Sequence, residues 1–322
     1  MRVLVTGGAG FIGSNLCAVL LDAGHEVGVI DDLSTGKAAN LDERAWFRPL
    51  DILDLSLESV VAEFGPEVIV HLAAQPSVAA SLKDPSRDWA VNAEGTAAVG
   101  RAALAAGARR MISASSAAVY GEPVSVPLRE SSPKSPVNPY GRSKLAAEGM
   151  LADTLSESDT DFASFRFSNV YGPRQDALGE GGVVALFCHA VASGAAPEIF
   201  GTGEQTRDFV FVGDIVSAIV AAIDSDTRLA SALPADSVAA AAAYNVSTGI
   251  ETTVNDLAAA LIDVSGTRSE FVRQPARDGD VDRSALDPSK IADVLEWRAD
   301  TPLRDGLAET WEWFSASNGS DG

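Results

Sequence analysis

The chain reads as an α/β protein built on a doubly wound parallel sheet, with a smaller domain made from its later segments. Three observations predict this. Short apolar runs alternate with longer helical patterns through the first half of the 322 residues. A glycine-rich turn joins the first run to the first helical pattern. Beyond Asn169 the alternation gives way to loops, short strands and scattered helices.

The elements follow in order. Arg2–Thr6 is a β-branched run and reads as the first strand. Further strands are expected at Glu26–Ile30, Val68–Leu72, Arg110–Ser115 and Phe162–Phe167. Helical patterns cover Gly13–Ala23, Trp89–Ala106 and Tyr140–Ser156. The alanine-rich stretch Ala230–Ala243, which contains Pro234, reads as a surface excursion or a helix without a functional role. There is no internal repeat and no charged tail. The length suits one large domain or two closely joined ones.

Composition narrows the function classes. With 46% apolar and 21% charged residues the chain can bury a large core. No apolar run reaches the roughly 18 residues of a membrane span, and MRVLV leads straight into the glycine turn, leaving no room for a signal peptide. Cys17 and Cys188 both sit in apolar, helix-like stretches, so a disulfide framework is not expected and a cytoplasmic setting is. A formal charge of −21 disfavours nucleic acid and anionic membranes as partners. Only five basic residues are lysines (37, 83, 134, 144 and 290), which fits either a salt-adapted cytoplasm or a GC-rich genome. The three histidines (25, 71 and 189) are scattered, and no Cys/His spacing suits a metal.

The opening VLVTGGAGFIGS places Gly7, Gly8, Gly10 and Gly13 between strand and helix. Glycines there allow a tight turn and let a pyrophosphate approach the backbone at the helix N-terminus. Asp31 ends the next strand, where a carboxylate binds ribose hydroxyls and repels a 2′-phosphate. Together they predict a Rossmann-type site for NAD rather than NADP. In NPYGRSK, Asn138 can cap a helix and Pro139 suits its first turn. Tyr140 and Lys144 then share one helical face. A phenol titrates near ~10, too high for a neutral-pH base, and a neighbouring ammonium lowers it. Upstream, SSAAVYG follows a strand and offers Ser115 and Ser116 as hydroxyls to bridge a substrate oxygen and Tyr140.

Through these motifs the chain resembles the extended short-chain dehydrogenase/reductases, and most closely the UDP-glucose 4-epimerases. TGGAGFIGS, DDLSTG, HLAAQPSV, SSAAVYG, NPYGRSK, NVYGPRQ, GEQTRDFVFVGD and RDGDVDRSALDPSK stand in that family's order over essentially the whole chain. The resemblance implies Ser116 as the catalytic hydroxyl, Tyr140 as acid/base and Lys144 as its partner. It implies cofactor contacts from Gly7, Gly10, Phe11, Ile12, Gly13, Asp31, Asp32, Ser34, Thr35 and Gly36. It adds Asp51 and Ile52 at the adenine, Leu72, Ala73, Ala74 and Gln75 along the NAD channel, and Asn92 nearby. For the sugar nucleotide it implies Ser77, Val78, Asn169, Arg207, Arg277 and Ser284, with Asn169 and the two arginines on the diphosphate. Read without the family, Arg207 suits an ion pair with Asp208, and Arg277 one with Asp278 or Asp280. Asp214 is expected to be structural, as is His71. By the same resemblance, residues 1–168 and about 208–248 form the NAD domain, and 169–207 with 249–322 the nucleotide-sugar domain. A homodimer is implied, with the Trp89–Ala106 and Tyr140–Ser156 helices as its candidate interface.

The implied reaction is epimerisation at C4 of a UDP-sugar through a 4-keto intermediate, with NAD retained. Three positions depart from the nearest patterns: Pro76 and Ala118, which touch substrate detail, and Ser284, where some members carry a bulkier residue. Serine there suggests a pocket that also admits UDP-N-acetylglucosamine. A UDP-glucuronate 4-epimerase or another nucleotide-sugar epimerase or dehydratase is the alternative. Dehydratases need an acid beside the catalytic hydroxyl, and Ala117 and Ala118 supply none. A non-catalytic NAD-binding regulator is a further alternative, disfavoured because both Tyr140 and Lys144 are present.

Overall fold

The computed structural model describes residues 1–177, 182–231, 237–276 and 281–318. Seven strands form one parallel sheet: β1 (Arg2–Thr6), β2 (Glu26–Asp31), β3 (Trp46–Pro49), β4 (Val68–His71), β5 (Arg110–Ser116), β6 (Asp161–Phe167) and a late strand at Ala243–Val246. From the late strand the order runs through β6, β5, β4, β1 and β2 to β3. The chain therefore starts in the middle and winds outward both ways, leaving a switch point between β1 and β4.

Strand alternation decides which side each residue faces. Val3 and Val5 face one side, where α1 (Phe11–Asp22) packs through Leu16 and Leu20. Leu4 faces the other, against α2 (Leu57–Phe64) through Val61 and Phe64. The helices α3 (Val78–Lys83), α4 (Pro85–Trp89), α5 (Gly95–Ala106) and α6 (Pro139–Leu155) follow in order. Of these, α5 and α6 extend the second core with Val99, Leu151 and Leu155. Each such buried side chain contributes roughly 1.5–3 kcal/mol.

The later chain adds β7 (Asn169–Tyr171), α7 (Val183–Ala192), β8 (Glu198–Phe200), β9 (Thr206–Arg207), β10 (Phe209–Phe211) and α8 (Val212–Asp224). Helix α8 returns to the main sheet and completes the first core through Ile215, Ile219 and Ile223. After α9 (Val238–Ala241) comes the seventh sheet strand, β11 (Ala243–Val246). Then follow β12 (Thr252–Thr253), α10 (Val254–Ser265), β13 (Val272–Gln274), α11 (Ser289–Leu295) and α12 (Leu303–Asn318). Helices α7, α10 and α12 share a separate core built on Phe187, Leu257, Leu261 and Leu307.

Several sequence expectations shift. The first helix starts at Phe11, two residues before the expected Gly13. The helical pattern Trp89–Ala106 is interrupted by a π-helical turn, Ala90–Glu94. Two strands, β3 and β11, were not expected; β11 takes the end of the alanine-rich stretch and buries all four of its residues beside β6. Pro234 lies outside the described residues, as does Arg277. Asp214 accepts hydrogen bonds from Thr301 and the Asp300 backbone, tying α8 to the segment before α12. Among the described residues no helix is long and apolar enough to cross a membrane, and no cluster of metal-binding side chains occurs.

Candidate active site

A cleft of about 520 Å³ opens along the carboxyl edge of the sheet. One end is the glycine turn. Gly7 has φ +74°, in the region that favours glycine, and a Cβ on Gly13 would lie 2.2 Å from the Gly7 carbonyl oxygen. Helix α1 thus begins close under the strand, and no side chain caps its amino end, which carries a partial positive charge. Asp31 closes this end. Its two carboxylate oxygens accept from the backbone N–H of Ala9, at 2.9 Å, and Leu33, at 2.8 Å. Burial raises its proton affinity, and those two N–H groups oppose the rise. Asp32 stands beside it and accepts from Ser34. Gly10, Phe11, Ile12, Ser34, Thr35, Asp51, Ile52, Leu72, Ala73, Ala74 and Gln75 line the same cleft.

The other end holds Ser116, Tyr140 and Lys144. Asn138 Oδ1 accepts from the Gly141 N–H at 2.8 Å and caps α6, with Pro139 in the first turn. Gly141 lets the helix start against the turn after β5, since a Cβ there would lie 2.5 Å from the Ala118 carbonyl oxygen. The Tyr140 backbone N–H donates to Ser81 Oγ. Lys144, one turn on, is buried and donates to the Ala114 carbonyl at 3.0 Å. Burial pulls its pKa from 10.5 down to about 8, against the attraction of Asp88 and Glu148.

The sequence offered two serines, and their surroundings differ. Ser115 is buried and donates to Glu148 Oε1 at 2.5 Å. Glu148 is also bonded through both oxygens to Arg166, a pair almost wholly buried. Ser116 Oγ accepts only a backbone contact from Ala118, at 3.2 Å, among the described residues, and lines the cleft. His71 bridges Thr6 and Thr96 from inside the sheet, and burial lowers its pKa to about 3, so it stays neutral.

Other expected residues lie outside the lining of this cleft. Gly36 packs against Ala9 and Asp31. Asn92 is buried behind Gln75, bonded to its N–H and its carbonyl. Val78 is exposed at the start of α3, and Asn169 is exposed on β7. Arg207 and Ser284 sit together, because Thr206 pairs with the Asp282–Ser284 segment. A second cleft of about 350 Å³ lies beside them, lined by Phe200, Gln205 and Arg283 among others. Asp208 does not depend on Arg207 for its contacts: its carboxylate accepts from Thr248, Gly249 and Leu286. Sequence reading missed Arg87, which lines the first cleft and pairs with Asp51 at 3.1 Å. It also missed Phe167 and Ser168, which carried no motif beyond a strand end, and Val170, although the block NVYGPRQ marked its segment.

The cradle fits a dinucleotide. A pyrophosphate needs the open helix end and glycine turn, and an adenosine ribose needs the Asp31 carboxylate. The fold and this cleft define a dinucleotide-dependent α/β enzyme. Comparison with known proteins narrows the class. Residues 3–232 match the model of the NAD dependent epimerase/dehydratase family. A UDP-glucose 4-epimerase of Mycolicibacterium smegmatis is 42% identical over 320 residues, 98% of each chain. The crystal structure of a Thermotoga maritima UDP-glucose 4-epimerase with UDP-glucose matches with TM-score 0.89 and 38% identity, covering 98% of this chain and 99% of that one. A Thermus thermophilus UDP-glucose 4-epimerase complexed with NAD gives 0.87 and 37%, with the same coverage. The chain belongs to the NAD-dependent epimerase/dehydratase family, within the extended short-chain dehydrogenase/reductases.

Proposed function

We propose that the protein is an NAD-dependent 4-epimerase of UDP-sugars, acting on UDP-glucose and UDP-galactose. The observation that carries the reading is the placement of Ser116, Tyr140 and Lys144 in one cleft with the Gly7–Gly13 turn and Asp31. Full-length similarity to UDP-glucose 4-epimerases supports it. Ala117 and Ala118 follow Ser116 and carry no acid for eliminating water, which favours epimerisation over dehydration.

Bound NAD, held along the glycine turn, Asp31 and the Leu72–Gln75 segment, supplies the hydride acceptor for C4 oxidation and the donor for its reversal. Tyr140, as phenolate, takes the proton of the sugar 4-hydroxyl, and Ser116 donates a hydrogen bond to the same oxygen. Lys144 favours the phenolate through its positive charge. Asn169, Arg207 and Arg277 anchor the diphosphate while the 4-keto sugar turns, and Ser77, Val78 and Ser284 border the sugar. Tyr140 then returns its proton to the oxygen presented on the opposite face. Anchoring by the remote nucleotide keeps the turning sugar near the reactive groups.

We propose a division into an NAD domain, residues 1–168 with about 208–248, and a sugar-nucleotide domain, 169–207 with 249–322. The separate core on Phe187, Leu257 and Leu307 supports it, while Ile291 and Trp297 pack into the first core and Phe209 and Phe211 into the third. We place the enzyme in the cytoplasm, since both cysteines are free and buried, and as a homodimer through α5 and α6, testable by sedimentation. Activity is tested by incubating the protein with UDP-glucose, UDP-galactose and their N-acetyl and uronate relatives and identifying products. Tyr140→Phe is expected to lower turnover at least ~10²-fold with the fold and NAD binding kept. Turnover within a few-fold of wild type would remove Tyr140 from the mechanism.

A further inference from the structure

Behind the cleft lies a buried polar cluster that the mechanism above does not use. Asp88, near the end of α4, is 1% exposed. Its Oδ1 accepts from Gln75 Nε2 at 2.7 Å and from Asn92 Nδ2 at 3.1 Å. Asn92 also donates to Ser143 Oγ at 3.1 Å, and Ser143 is the residue before Lys144. The π-helical turn at Ala90–Glu94 carries Asn92 at its centre, so the irregular backbone serves this cluster. Asp88 Oδ2, however, is buried without a hydrogen-bond partner among the described residues. A buried carboxylate with one oxygen unsatisfied is costly unless its charge is used.

The charge has one evident use. Lys144 is buried, and its ammonium donates to a single neutral carbonyl among the described residues. The charged groups around it come from few elements. Asp88 on α4 and Glu148 on its own helix both attract it, Glu148 being already bonded in both oxygens to Arg166 of β6. His71 of β4 is neutral. Arg87 of α4 turns outward to Asp51, and the side chains of Lys83, Glu94 and Arg101 are on exposed residues of α3, the π turn and α5. Arg166 offsets Glu148, so Asp88 is the uncompensated negative charge.

We propose that Asp88 is a positioning residue whose carboxylate charge keeps Lys144 an ammonium and thereby sets the pH range over which Tyr140 works. The inference rests on the Tyr140/Lys144 assignment. Its sign is definite: removing one negative charge lowers the proton affinity of every titrating neighbour. Lys144 would lose its proton at lower pH, which moves the alkaline limb of activity down. Tyr140 would ionise at lower pH, which moves the acid limb down as well.

Asp88→Asn is a clean probe, because an asparagine carbonyl oxygen can keep both Oδ1 hydrogen bonds while its amide replaces the unpartnered oxygen. The experiment measures kcat against pH for the NAD-loaded wild type, Asp88→Asn and Tyr140→Phe. Both limbs of Asp88→Asn are expected to move toward acid by about one pH unit. A lower maximum with unmoved limbs would mean a merely structural role and overturn the proposal. A second readout is independent of turnover. Tyr120, Tyr171 and Tyr244 are all buried with raised pKa values, so the first phenolate absorbance on raising the pH should belong to Tyr140 and vanish in Tyr140→Phe. Its midpoint should fall in Asp88→Asn, and an unchanged midpoint would also overturn the proposal. If Tyr140→Phe keeps its activity, the base assignment itself fails; if it is dead while the Asp88→Asn limbs stay put, only the Asp88 role fails. Should Asp88→Asn not fold, Asp88→Glu and Asp88→Gln, matched in size, repeat the comparison. Gln limbs acid-shifted relative to Glu support the charge role, and coincident limbs refute it.

Discussion

Replacing Lys144 with methionine is expected to abolish turnover and, at neutral pH, to leave the folded chain at least as stable as wild type. The ammonium is buried, and desolvation outweighs the attraction of Asp88 and Glu148, taking its pKa from 10.5 to about 8. At about 1.4 kcal/mol per tenfold change in proton affinity, keeping it charged costs the folded state roughly 3 kcal/mol near pH 7. Methionine removes that cost at similar length. It also leaves the Ala114 carbonyl without its donor, a loss of about 1–3 kcal/mol. The net effect is a gain on the order of 1 kcal/mol. The pH dependence is the sharper measurement. Below about pH 8 the lysine is protonated folded and unfolded, and the full penalty applies. Between about 8 and 10.5 the unfolded chain still holds the proton that the folded chain releases. Wild-type stability therefore rises there, relative to the variant, by up to about 1.4 kcal/mol per pH unit. Urea unfolding of both proteins without added dinucleotide, from about pH 7 to about pH 10, reads this directly. The stability difference should narrow with pH and then favour wild type. A difference that stays constant across the range would refute the reasoning.

Three further outcomes are expected. The protein should retain or bind NAD more tightly than NADP, because Asp31 and Asp32 put carboxylates at the glycine-turn end of the cleft, where they would repel a 2′-phosphate; a clear preference for NADP in a binding titration contradicts this. Glu148→Gln should cost about 3–5 kcal/mol in urea unfolding, since it strands the buried Arg166 guanidinium, and a loss below about 1 kcal/mol would show the pair is dispensable. Ser284→Tyr should reduce activity on UDP-N-acetylglucosamine far more than on UDP-glucose, because added bulk meets the larger 2-substituent. Equal losses, or no wild-type activity on the N-acetyl sugar, would end the roomy-pocket argument.

What could be read from the sequence was what residues spell locally. The glycine turn needs backbone freedom at named positions, and the α6 cap needs Asn138 before Pro139, so both stand in the letters. The strands that were missed are edge or near-edge segments of four residues. WFRP at Trp46–Pro49 becomes a strand because Gly28 and Val29 offer it a parallel partner, and AYNV at Ala243–Val246 because β6 does. The π turn hides inside a helical periodicity, and the bonds around Asn92 reach Gln75 and Ser143, both distant in sequence. Asp88 and Arg87 gave no spacing signal at all. Glu148 did: with Tyr140 and Lys144 it continues the same helical face at every fourth residue, and that continuation points to a third polar group turned inward.

These buried charges suit the proposed reaction in one specific respect. A dehydrogenase delivers a proton to solvent at each turnover and needs a route out. An epimerase in which Tyr140 takes a proton from one face of the sugar and returns it to the other exchanges none over a full cycle. Its acid/base machinery can therefore be closed off, with the compensating charges inside the protein as well. Lys144 on α6, Asp88 behind Gln75 and the Glu148–Arg166 pair are all nearly inaccessible. Buried in this way, the charges are screened by salt less than surface charges are. The roughly 3 kcal/mol spent on keeping Lys144 charged is then the energetic counterpart of a phenolate kept ready between two faces of the same sugar.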